Sequence, residues 1–133
     1  MSTTTRITVL TAAATLVAAP LTLAVVAPAH ADVDRNGACG AGRYELSVDR
    51  ERRAGQRGFE VDAGLEGVAP YSRWTFVLRH DGNRVLEVTR TADDEGDVDV
   101  DAFRRNSAGK DRFSVRATQV GGTTSCGASI TVR

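Results

Sequence analysis

From Tyr44 to the C-terminus, apolar side chains return at every second position, and nowhere does a three-or-four spacing persist long enough to make a helix. Tyr44, Leu46 and Val48 alternate with Glu45, Ser47 and Asp49; Phe59, Val61, Ala63 and Leu65 alternate with Glu60, Asp62, Gly64 and Glu66. Trp74, Phe76 and Leu78 form a third run, Leu86 and Val88 a fourth, Val98, Val100 and Ala102 a fifth. Phe113, Val115 and Ala117 form a sixth, and Cys126, Ala128, Ile130 and Val132 a seventh. A period of two puts one flank of an extended chain in the core and the other in water. Seven such runs with turn signals between them predict an all-β, two-sheet sandwich.

Residues 1–31 do not fit that rhythm. Arg6 is followed by "ITVLTAAATLVAAPLTLAVVA" and "PAHA", which reads as a secretory signal peptide cut after Ala31. An uncleaved membrane anchor is the competing reading; Pro20 and the small residues Ala29 and Ala31 favour cleavage. The expected organisation is a signal peptide over 1–31, a flexible N-terminus over 32–38 and one domain over 39–133. The protein is expected outside the cell, with no membrane attachment after cleavage. Two cysteines, Cys39 and Cys126, lie near opposite ends of the domain, and in an oxidising compartment they are expected to pair. A reactive or intermolecular thiol is the alternative.

The turn "HDGN" constrains register. A two-residue turn at Asp81-Gly82 in regular pairing would set Glu87 against Phe76 and place a carboxylate on the apolar side. The expectation is therefore a three-residue loop, Asp81 to Asn83, with Asn83 left-handed, pairing Leu78 with Leu86 and Phe76 with Val88.

Two stretches carry a resemblance. "RWTFVLRHDG" resembles the third strand of an immunoglobulin-like or fibronectin type III domain, where a large aromatic fills the core. "GKDRFSVRAT" resembles the sixth, with Asp111 ahead of an aromatic at Phe113 and an apolar Val115. Phe113 stands where the family has a tyrosine, so the hydroxyl bond of the tyrosine corner cannot form. The usual inter-sheet disulfide is absent, its later position being Val115. The layout is also similar to small secreted actinobacterial proteins with immunoglobulin-like folds and no assigned activity. The resemblance implies a seven-strand immunoglobulin-like sandwich and leaves function open.

Charge is the remaining signal. Of 17 basic residues Arg6 lies in the leader, leaving 16 against 17 acids, so no overall field draws nucleic acid. "DDEGDVDVD" places six carboxylates in nine positions. As an EF-hand loop it fails, because Ala102 stands at the glycine position and Ala108 at the glutamate position. Strand alternation explains Asp97, Asp99 and Asp101 instead. If the first, second and fifth strands share a sheet, Glu45, Asp49, Glu60, Asp62, Glu66, Asp97, Asp99 and Asp101 share its outer face. Arg43, Arg104 and Arg105 are the nearest compensating charges. The other sheet would present Arg73, Arg79, Arg112, Arg116 and Arg133. The acidic set is a candidate surface for Ca²⁺ or a basic partner, with Glu60, Asp62, Asp97, Asp99 and Asp101 at its heart. Arg73, Arg79, Arg112 and Arg116 are a candidate anion surface. Solvated faces that keep the domain soluble are the plainer reading.

Catalysis has little to stand on. His80 is the one histidine outside the leader, its neighbour Asp81 is expected to point away from it, and no serine sits in a nucleophile elbow. One histidine and a paired disulfide cannot build an ordinary zinc site. Tyr71 after Pro70 is expected to cap the end of the sandwich, and "RERRAGQRG" to be a polar, arginine-rich loop. The expected role is a monomeric, non-enzymatic recognition or accessory module, without a cofactor unless Ca²⁺ binds. Its partner would be an unnamed extracellular protein or polymer, not nucleic acid. A small-molecule carrier or a protease inhibitor on the same compact scaffold is the alternative.

Overall fold

The computed structural model describes residues 33–133. The signal peptide over 1–31 and its cut after Ala31 lie outside the described residues. Eight strands and no helix make up the described chain: β1 (Val33–Cys39), β2 (Gly42–Arg53), β3 (Gln56–Glu66), β4 (Arg73–His80), β5 (Asn83–Thr91), β6 (Val98–Arg105), β7 (Asp111–Gln119) and β8 (Ser125–Val132). They form two four-stranded antiparallel sheets, ordered β1-β2-β3-β6 and β5-β4-β7-β8. A two-sheet sandwich with a disulfide is consistent with an immunoglobulin-like arrangement.

The core follows from the alternation. Leu46, Val48, Phe59, Val61, Leu65, Val98 and Val100 of one sheet pack against Trp74, Phe76, Leu78, Phe113, Val115 and Ile130 of the other. Trp74 is 2% exposed, and its indole N–H donates to Ser72 Oγ at 2.8 Å, so the one polar atom of the ring is satisfied. Phe59 and Phe113 meet edge to face with centroids 5.5 Å apart, joining the two sheets toward the end that carries the β4–β5 turn.

Three expectations need correction. The strand count is eight, not seven: from Val33 onward, the segment expected to be flexible is the edge strand β1, paired with β2 from Val33↔Val48 to Cys39↔Gly42. Its "VDRNGAC" has no clean alternation, because an edge strand buries little and its hydrogen bonds rather than its side chains hold it. Secondly, "RERRAGQRG" is mostly strand. β2 runs to Arg53 and β3 starts at Gln56, closed by Ala54 and Gly55 at φ 49° and 79°. This end of the hairpin extends past the core, so both its flanks are polar and the period-two signal disappears.

The third correction concerns how the β4–β5 register arises. Leu78 pairs with Leu86 and Phe76 with Val88 as expected, but the turn has two residues, Asp81 and Gly82, both at positive φ, and His80 pairs with Asn83. The odd residue is absorbed by an irregularity after Leu78, where Arg79 pairs with Arg84. A bulge and a three-residue loop are equivalent for the parity of the strand, so the pattern could not distinguish them.

The sandwich is tied at both of its long edges. Cys39 at the end of β1 and Cys126 on β8 are disulfide-bonded with Cα atoms 5.5 Å apart and a sequence separation of 87. At the opposite edge Arg104 of β6 donates to the Val85 carbonyl on β5 at 2.5 Å, using an oxygen that lies at the irregularity. Replacing Cys39 and Cys126 together by alanine is expected to lower stability by about 2–5 kcal/mol, since the bond closes a long loop. Urea denaturation of the oxidised protein and the double variant measures this.

Candidate functional site

The outer face of the β1-β2-β3-β6 sheet carries rows of acids set by register. Asp34, Ser47, Asp62 and Asp101 are direct cross-strand neighbours in one row running over all four strands. The next row is Asn36, Glu45, Gly64 and Asp99; beyond the first row on its other side lie Asp49, Glu60 and Phe103. These rows line a shallow concavity of about 490 Å³ with Ser47, Ala63 and Gly64 on its floor. A Cβ at Gly64 would lie 2.8 Å from an Asp99 carboxylate oxygen, so the Asp99 side chain would have to turn aside to admit one.

Like charges so close resist ionisation. Partial desolvation, then the neighbouring Asp101, Asp99 and Glu51 carboxylates, raise the Asp62 pKa above its usual 3.8. Glu60 is raised too, by desolvation and by a hydrogen bond shared with the Glu51 carboxyl, against the opposing pull of Arg53. Arg53 is the compensating charge of this face. Its guanidinium lies 2.7 Å from Glu60 and 3.5 Å from Glu51, and its carbon sits 5.1 Å from the Phe103 ring centroid. Of the arginines anticipated for this role, Arg43 donates to Asn36 Oδ1 at the edge of this face and Arg104 to the Val85 carbonyl on the other sheet.

The aspartate run divides by task. Asp93 Oδ1 accepts the N–H groups of Glu95 and Asp97, both at 2.9 Å, folding the loop before β6. The Asp97 N–H chiefly, with those of Glu95 and Gly96, holds the Asp93 carboxyl below its usual range. Asp97 Oδ1 in turn accepts the Gly67 N–H at 3.2 Å, at the margin of the face. Asp99 and Asp101 alone of the run sit within the rows on β6. Asp34 and Phe103 complete the face and were missed. Asp34 lies in a strand that the pattern did not reveal, and Phe103 is the one aromatic to break the in-out rule at the end of β6.

On the other sheet, Arg79 and Arg112 with Arg116 flank a groove of about 740 Å³ floored by Ser114, Ala128 and Gly127. Their nearest partners are neutral: the Gly82 carbonyl for Arg79 at 3.0 Å, and Ser129 Oγ and Ser125 Oγ for Arg112 and Arg116, each at 3.5 Å. Arg73 opens β4 opposite Thr91, away from these three. Glu87 on β5 is held by Arg84.

A third cluster sits at the hairpin end, where His80, Asp81 and Asp111 bring ligand-type atoms within 4.8 Å of one another. Asp111 is 0% exposed. Its Oδ1 takes His80 Nε2 at 2.6 Å and the Ser107 N–H at 2.9 Å, while Oδ2 is buried without a hydrogen-bond partner. Burial pushes the Asp111 carboxyl up, but the Ser107 bonds and His80 outweigh it and hold it below its usual 3.8. Asp81 does not point away from the histidine. Its Oδ2 lies 3.4 Å from Nε2 and accepts the Ser107 hydroxyl at 3.0 Å, and its Oδ1 accepts the Arg112 N–H at 2.8 Å. The imidazole stacks on Phe113 at 4.4 Å. Asp111 and His80 tie the β4–β5 turn to the start of β7. Ser107 spends its hydroxyl proton on Asp81 and not on the imidazole, so the trio lacks the nucleophile-to-base contact of acyl transfer. A divalent ion could use these three ligands only after the proton shared by His80 and Asp111 had left.

No known family, no curated protein and no solved structure matches this chain.

Two pH responses of opposite sign follow. Asp62 has a raised folded pKa, so its ionised form weakens the fold at neutral pH and the penalty fades as pH falls through that value. Asp62→Asn is expected to stabilise at pH 7 by a few tenths to about 1 kcal/mol, with the gain gone near pH 3. Asp111 has a lowered folded pKa, so its contribution is complete above 3.8 and is lost as pH falls further. Asp111→Asn is expected to cost about 3 kcal/mol at pH 7 and to flatten the acid limb. Urea midpoints between pH 7 and about 2.5 report both.

Proposed function

We propose that this chain is a secreted, non-enzymatic recognition module of immunoglobulin-like type, working through its charged sheet faces, with the acidic concavity as the principal surface. One observation carries the reading: the uninterrupted row Asp34, Ser47, Asp62 and Asp101, whose carboxylates make no ion pair among the described residues; Arg35 lines the same concavity but gives its guanidinium to the Asp34 carbonyl. Arg53 makes ion pairs on this face, and it serves Glu51 and Glu60. Retaining carboxylates that cost stability is what a binding surface requires, since a partner's cations recover that cost. The disulfide suits an oxidising, extracellular compartment. A strand-spaced row, about 4.8 Å from one carboxylate-bearing strand to the next, suits successive guanidinium or ammonium groups better than one Ca²⁺, which needs six or more oxygens converging on a point.

Fluorescence anisotropy with a labelled poly-arginine peptide tests this reading. Binding is expected at low salt, weakening in about 0.5 M NaCl and falling about tenfold or more in Asp62→Asn/Asp99→Asn/Asp101→Asn. Equal binding by the triple variant would overturn the acidic face as the site. Full displacement of the peptide by about 1 mM Ca²⁺ would assign the face to the ion instead.

A second reading, the inhibitor form of the same scaffold, has its own support in Tyr71. The tyrosine does not cap the sandwich. It is 69% exposed, at φ 61°, on a loop held by its own N–H to the Ala92 and Asp93 carbonyls at 3.2 and 3.3 Å. A strained, projecting aromatic on a braced loop suits insertion into a partner's cleft. Assays against serine proteases of the common specificity classes, with Tyr71→Asn as the control, decide it; no Tyr71-dependent inhibition in that set would remove this reading.

A further inference from the structure

We infer that the partner of the acidic face is the arginine face of a second copy of this chain, so that copies stack front to back in an open row. The inference rests on the reading of the acidic concavity as a binding surface and names its occupant. The acidic rows and the arginine groove occupy opposite outer surfaces of one sandwich, the first spanning all four strands of its sheet and the second β4, β7 and β8, so they cannot meet within a molecule.

Each face also lacks what the other supplies. Arg79, Arg112 and Arg116 reach only a carbonyl and two serine hydroxyls, and no carboxylate lies within ion-pair distance of them among the described residues. Asp34, Asp62, Asp99 and Asp101 likewise have no cation within that distance among those residues. The approach is open. Ser47 and Gly64 floor one concavity and Ser114 and Gly127 the other, so small residues lie beneath both sets of charges.

Long-range repulsion is small as well. The secreted chain carries 16 basic against 17 acidic residues, so two copies meet as nearly neutral bodies with opposed faces. Contact of unlike faces is heterologous, and because the faces are on opposite sides it leaves a free face at each end and does not close. The monomer expected from composition is then the dilute limit. Exposed ion pairs contribute little each, so the contact is weak, on the order of 0.1 mM, and strongly salt-dependent.

Sedimentation velocity on the full secreted chain tests this, from about 10 µM to 1 mM in about 20 mM and 0.5 M NaCl. The mass average is expected to rise with concentration at low salt and to return to monomer at high salt. The acid-face variant Asp62→Asn/Asp99→Asn/Asp101→Asn and the arginine-face variant Arg79→Gln/Arg112→Gln/Arg116→Gln are each expected to stay monomeric. Mixed in equal amounts they should form one-to-one dimers and stop, because each supplies a single competent face. A wild type that is monomeric throughout, variants that associate like wild type, or a mixture that stays monomeric would each overturn the inference. Circular dichroism melts confirm that the variants are folded; should either unfold, the salt dependence of the wild type alone still decides. If wild type remains monomeric yet binds poly-arginine through Asp62, Asp99 and Asp101, self-stacking falls and the acidic recognition surface stands.

Discussion

Burial of one flank of each strand between two sheets is the constraint from which the other features follow. Phe59, Trp74, Phe76 and Phe113 must leave water, and each that does so turns its sequence neighbours outward. On β3 and β6 those neighbours include Glu60, Asp62, Asp99 and Asp101. On β4 and β7 they include Arg79, Arg112 and Arg116. Charge segregation is therefore a by-product of core formation in its geometry, but not in its composition. Serine or threonine at the same outward positions would serve the fold equally, and the β7–β8 ribbon uses them at Ser114, Thr118, Ser125 and Ser129.

Carboxylates do two different jobs in this protein, and hydrogen bonding separates them. Asp93, Asp97 and Asp111 each accept backbone N–H groups and behave as parts of the loops they close. Backbone donors favour the charged form, which is why Asp93 and Asp111 are held below the usual range. Asp62 is partly desolvated and has other carboxylates as neighbours, and its pKa moves the opposite way. The direction of the shift thus divides acids that stabilise the sandwich from an acid that weakens it.

Much of the core was legible in the sequence, because half-buried strands write their orientation at every second residue; the division of strands between sheets came only from the immunoglobulin-like resemblance. Val98 and Val100 are buried with Asp99 and Asp101 exposed, as alternation required. What escaped was structure that buries little. β1 leaves too few apolar positions to register a period, and the Ala54-Gly55 end of the β2–β3 hairpin is polar on both flanks. Tyr71 escaped for a related reason: composition cannot tell an aromatic that caps an end from one lifted out by a left-handed backbone.

The sequence by itself determined that the chain would be extended and which flank of most strands would be buried. It also determined that its two cysteines were free to join, since these depend on local periodicity and residue type. Only the tertiary structure decided that Asp34 joins Asp62 and Asp101 in one row and that Arg53 answers for Glu60. It likewise decided that Asp111 reaches back to His80 from 31 residues away. Those relations depend on strand order and register, which are set by how the whole core closes and by nothing written within a single segment.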